Sequence, residues 1–157
     1  RVGDFVNAHA KNGNDNFIKL QDFAKKNNLG ISVALSLLKG RDRNVYKSMK
    51  EGTFKFPDHS GMIQELDYCK DVITLIVEQR GHNSYLKSTK LWKALVNVVK
   101  HPEYNHEKML KNLSQMIAKI GMRSNYEGYV DMFLSVHNFR NTNKIVLNVD
   151  KNDEDEE

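Results

Sequence analysis

Cysteine is almost missing: Cys69 stands alone in 157 residues. An internal disulfide is therefore excluded, and the chain suits a reducing compartment. Proline occurs only twice, at Pro57 and Pro102, so long segments are free of the residue that most disrupts helices. No apolar run approaches the roughly 20 residues that a membrane helix needs, and no signal peptide is recognisable. Arg1 stands where a methionine would begin a complete chain, so a fragment or a processed protein is expected. Glycines such as Gly13, Gly30, Gly40, Gly52, Gly81 and Gly121 are scattered as stops rather than gathered into a phosphate-binding loop. There is no serine elbow and no paired-acid hydrolase motif. Asp67, Asp71 and Glu78 fall in one helical segment and read as a solvated face. None of the six histidines forms an i, i+4 pair beside an acid. His101 and His106, with Glu103 and Glu107, read as a loop cluster around a proline turn rather than a metal site. Cys69 lies in an apolar pattern and reads as a buried, inert thiol. No catalytic residue, metal or cofactor is expected, and the chain reads as non-enzymatic.

What is present is charge and helical periodicity. Hydrophobic residues make up 39% and charged residues 28% of the chain, enough for a sizeable core. The formal net charge is +4, yet residues 150–157 carry six acids against Lys151, a net of −5, which leaves +9 on residues 1–149. A body that basic favours a polyanion through counterion release. The expectation is one helical domain over 1–149 followed by a disordered acidic tail over 150–157. That tail reads either as a nucleic-acid mimic or, preferably, as a solvated terminus.

Residues 1–11 read as a helix that Asp4 could cap, with Phe5, Ala8 and His9 inward. Residues 12–15 form a turn, and Asp15 or Asn16 is placed to cap the next helix. Residues 58–79, 84–100 and 106–120 each carry an apolar stripe at helical spacing, the third capped by Asn105 and stopped by Gly121. Lys87, Lys90, Lys93 and Lys100 spread over the remaining surface of the second. Ser124 to Glu127 matches a capping box opening a helix to about Phe139. Two short stretches, Thr53 to Pro57 and Lys144 to Val149, alternate like β-strands. The fold class is mainly α: a multi-helix domain containing a helix-turn-helix-like unit at 15–40, with one or two short β segments.

That unit is the stretch FIKLQDFAKKNNLGISVALSLLKG, from Phe17 to Gly40. Phe17, Leu20, Phe23 and Ala24 give the first helix an apolar face. Residues 27–30 break the pattern at Gly30, a residue that accepts positive φ. Ser32 is placed to cap the second helix. A second helix in this layout can lie in a DNA groove, but between Ser32 and Gly40 it offers only Ser32, Ser36 and Lys39 as polar groups. The first helix adds Lys19, Lys25 and Lys26, and the following stretch adds Arg41 and Arg43. These eight residues are the expected nucleic-acid contacts, made to phosphate rather than to base edges. Beyond them, Lys47 and Lys50 are interleaved with Val45, Tyr46 and Met49, and Lys55 sits between Phe54 and Phe56 as a second basic contact.

The order of segments resembles the region that follows the nuclease-like domain in phage and mobile-element ParB-like proteins. The matching features are AKNGNDNFIKL, LGISVALSLL, EGTFKF, LWKALVNVVKHPEYNHEKML and YEGYVDMFLSVHNFRNTNKIVL. The resemblance implies a DNA-binding helical region attached to an N-terminal ParB/sulfiredoxin-like domain, in the cytoplasm of a bacterial host cell. Nothing here matches that domain's glycine, histidine and arginine motif, so no catalytic or nucleotide-binding residue carries over. The spacing from Ala24 to Gly30 exceeds that of a compact helix-turn-helix, which implies weak sequence specificity. The competing expectation is a protein-interaction or assembly module, whose partner is a second copy or another protein. It would dock through the apolar faces of 84–100 and 124–139, marked by exposure of Trp92 or Tyr129.

Overall fold

A computed structural model of the protein describes residues 2–39 and 44–147. Among these residues it contains eight α-helices and no strand. They group into two compact units, within residues 1–60 and 61–157.

The first unit holds α1 (Val2–Lys11), α2 (Asp15–Lys26), α3 (Ile31–Lys39) and α4 (Val45–Glu51). Helix α1 packs on the other three, and α2 also packs on α3. Its core is Val6, Phe17, Leu20, Phe23, Ala24, Val33, Ala34, Leu35, Leu37, Met49 and Phe54, all apolar. The apolar face read on α2 is the one that is buried. On α1 the expectation fails: Asp4 lies inside the helix rather than capping it, Val6 is the buried residue, and Ala8 is exposed. The caps also shift. Asn14, not Asp15 or Asn16, precedes α2, and its carbonyl accepts from the N–H groups of Phe17 and Ile18. Helix α3 already begins at Ile31, so Ser32 lies within it.

Two helices stop by the same device. After α1, the Asn14 N–H reaches the His9 carbonyl and the Gly13 N–H reaches that of Ala10, with Gly13 at φ +86°. After α2, Leu29 N–H reaches Ala24 and Asn28 N–H reaches Lys25. This is the Schellman pattern. The left-handed residue of the second stop is Asn28, at φ 55°, and not Gly30. Asparagine tolerates that region because its short polar side chain bonds locally, so a glycine-based reading of the turn placed it two residues late.

The second unit holds α5 (Ile63–Arg80), α6 (Thr89–Val99), α7 (His106–Gln115) and α8 (Tyr126–His137). Helix α6 buries Leu91, Trp92, Ala94, Leu95, Val96, Val98 and Val99, almost its full circumference, as a central helix does. It packs on α5 and α8, while α7 packs on α5 and α8. The helix expected over 84–100 divides: a short 3-10 turn covers Ser84–Lys87, and Ser88 then caps α6 by accepting from the Leu91 N–H. Trp92 Nε1–H donates to the Leu86 carbonyl at 2.8 Å, which ties the turn to the helix. Lys93 does not reach the surface as expected; its amine is buried. Asn105 caps α7 through the Lys108 N–H, as expected. That helix ends at Gln115, and a further 3-10 turn covers Ile117–Lys119. The cap of α8 is Asn125, not Ser124, accepting from Gly128 N–H at 2.8 Å.

Neither expected β segment is a strand among the described residues. The alternation itself is real at Phe54 (buried) and Lys55 (exposed). What is missing is a partner strand, because asparagine side chains take the backbone groups instead. Phe56 N–H donates to Asn16 Oδ1 at 2.9 Å. Ile145 N–H donates to Asn138 Oδ1, and its carbonyl accepts from Asn138 Nδ2, both at 2.9 Å. Residues 148–157, including the expected acidic tail, lie outside the described residues.

Candidate nucleic-acid interface

The first unit carries a basic surface of its own. Residues 1–60 hold eleven Lys and Arg against six Asp and Glu, a net of +5. Because its core is wholly apolar, these charges are left to the surface. Lys19, Lys25 and Lys26 are all exposed on α2. Lys25 and Lys26 occupy the last turn, where cations complement the negative end of the helix dipole. Lys19 is partly neutralised by Asp15, one turn earlier, at 3.1 Å. Both side chains are largely exposed, so this pair holds Lys19 only weakly.

On α3, Ser32, Ser36 and Lys39 recur at i, i+4 and i+7 and so share one face. Val33, Ala34, Leu35 and Leu37 occupy the buried positions between them. Ser32 is exposed, while Ser36 and Lys39 are half-buried. Lys39 Nζ sits 5.5 Å from the centroid of Phe54, a cation–π contact that anchors its stem. The stripe is thus narrow and short of the bidentate side chains that read base edges. Arg41 and Arg43 lie outside the described residues. Lys47, Lys50 and Lys55 are exposed in the same unit and extend the basic surface beyond the eight expected contacts.

The segment bearing these later lysines is held by residues of the first helical turn-around. Asn14 Nδ2 donates to the Gly52 carbonyl at 3.0 Å, and His9 Nε2–H donates to that of Lys50 at 3.2 Å. Gly52 has φ +79°, and a β-carbon there would stand 2.9 Å from His9 Cε1. Only glycine satisfies both conditions.

A polar cluster in the second unit went unread in the sequence. His106 Nε2–H donates to Asp71 Oδ2 at 2.8 Å, and the Tyr104 hydroxyl donates to His106 Nδ1 at 2.6 Å. The His106 ring stacks on Tyr68 at 4.0 Å. Asp71 also borders an open groove of about 590 Å³ between α5 and α7, whose floor includes Leu75 and Leu110. The order hydroxyl, imidazole, carboxylate is that of an activated nucleophile, but the electrostatics run the other way. Burial, with Cys69, Tyr68 and Asp71 adding to it, pushes the Tyr104 phenol far above its ordinary value. A phenol held protonated is a hydrogen-bond donor, so the cluster joins α5 to the start of α7. His101 and His106, which flank the proline turn, are used separately: His101 Nδ1 accepts from Glu103 N–H. No group of three or more His, Cys, Asp or Glu is placed to hold a metal ion among the described residues. No helix among them is long and apolar enough to cross a membrane. Cys69 is fully buried, and burial pushes its thiol well above the ordinary range.

No family model, no curated protein and no solved structure matches the chain.

Proposed function

We propose that the protein is a non-enzymatic DNA-binding module that holds the phosphate backbone with its N-terminal helical unit. The observation that carries this reading is the placement of exposed Lys25, Lys26, Lys47, Lys50 and Lys55 on a unit of net charge +5. Within it, α2, the four-residue turn and α3 act as a helix-turn-helix-like support. Lys19, Lys25 and Lys26 serve on the first helix, Ser32, Ser36 and Lys39 on the second, and Arg41 and Arg43 follow. The few polar groups on α3 favour grip over sequence discrimination. The role matches the one implied by the ParB-like resemblance, and it stands on the charges alone. A protein-docking role through α6 and α8 loses its expected surface: Trp92 is 6% and Tyr129 2% exposed, and the two helices pack on each other.

Binding of a duplex measured against salt tests the proposal. Affinity should fall steeply as salt rises, and the slope should shrink by about 0.9 for each phosphate contact removed. Changing Lys25, Lys26, Arg41 and Arg43 together to Ala should therefore weaken binding and flatten the salt dependence. Salt-independent binding, or an unchanged slope in this variant, would place the site elsewhere.

A further inference from the structure

In the first unit, Tyr46 is the one large hydrophobic side chain left exposed among the described residues, at 46%. Its ring is not loose. Phe5 of α1 meets it edge-to-face, with centroids 5.6 Å apart and planes at 73°. Helix α4, which carries it, is anchored by buried Met49, one turn further along. Its C-terminal stop is held through Asn14 and His9, as described above. Tyr46 is thus a tethered aromatic on a supported helix, with its position fixed before any ligand arrives. Lys50 follows one turn later on the same face, and Lys47 adjoins it; both are exposed. Glu51, the one acid of α4, stands one turn beyond Lys47 and off the line from Tyr46 to Lys50.

An aromatic ring beside paired cations has a defined chemical complement. Duplex DNA offers phosphates to the lysines, but its bases are stacked on one another and have no free face for the ring. A single strand offers both, an unstacked base for the ring and the flanking phosphates for the lysines. We infer that Tyr46, flanked by Lys47 and Lys50, is a base-stacking seat that makes this unit prefer single-stranded over duplex nucleic acid. The inference rests on the phosphate-binding reading above and adds the class of strand.

The full chain is titrated at low salt with a labelled oligothymidylate of about sixteen nucleotides and with a duplex of equal length. Wild type should bind the single strand more tightly. Tyr46→Ala should lose about 5- to 150-fold on the single strand, the range of one stacked base, and nothing on the duplex. Tyr46→Phe keeps the ring and should bind as wild type does. If both probes bind and Tyr46→Ala weakens neither, or weakens both equally, the stacking seat is wrong and phosphate binding stands. If neither probe binds at low salt, both fall together. Should Tyr46→Ala lose its helical circular dichroism, crosslinking of a 5-iodouracil oligonucleotide to wild type decides. An adduct on Tyr46 supports the seat, and adducts confined to other residues overturn it.

Discussion

His137 is fully buried at the end of α8 and makes both of its ring hydrogen bonds. Nε2 accepts from the Asn105 N–H at 3.0 Å, which leaves the proton on Nδ1, facing Asn138 Oδ1 at 2.9 Å. Protonating the ring would set an Nε2–H against the Asn105 N–H. Burial lowers the His137 pKa; the Asn138 bond opposes that shift, and nearby His101 adds to it. A histidine whose folded pKa is depressed binds its proton more readily when unfolded. Its contribution to stability is complete above the unfolded value of about 6.5 and is lost as pH falls below it. Thermal melts at pH 7 and pH 5 should therefore show a drop for wild type that is smaller in His137→Gln. Equal drops would mean that the ring is not what the acid attacks. Asn112 works beside it and is itself buried. Its amide Nδ2 faces the carbonyls of Val136, His137 and Phe139, where the backbone ladder of α8 runs out.

At the scale of the element, Gly52 ends α4 and lets His9 approach. Gly52→Ala meets both a left-handed φ and a ring 2.9 Å away, so a loss of about 1–3 kcal/mol is expected in urea unfolding. A change within about 0.5 kcal/mol would show that His9 simply swings aside. The elements differ in how far they can be read from residues alone. The buried faces of α2, α6 and α8 were legible because apolar spacing records burial directly. The Asn105 cap was legible because its type and position agree. The stop after α2 was misplaced because Asn28 was available to do what glycine usually does. The two supposed strands misled because alternation reports a half-buried chain, not the identity of its hydrogen-bond partner, and Asn16 and Asn138 supplied that partner from a distance in sequence. The link between Asp71 and His106 crosses 35 residues, and no local pattern announces it.

At the scale of the whole molecule, the character of the buried core divides along the chain. The first sixty residues are basic, with an entirely apolar core, whereas the buried polar residues Asn112, His137 and Asn141 all belong to the second unit. The division between the units falls after Ser60, whose N–H bonds Asp58 Oδ1 at 3.0 Å in a tight turn. Composition does not mark that point, since the apolar periodicity from residue 63 follows it almost at once. The lone thiol acquires a use from this arrangement. Cys69 is sealed within α5, and its raised pKa starves it of thiolate, the form that reacts. A thiol reagent must therefore wait for α5 to open, and with no second cysteine in the chain its signal has one origin. Labelling in the native state should be far slower than in denaturant, with a rate that tracks the opening of the second unit while the first stays silent. Prompt labelling in native buffer would show that α5 opens readily. The side chain that closes off disulfide chemistry thus leaves the molecule with a built-in clock for the breathing of half its fold.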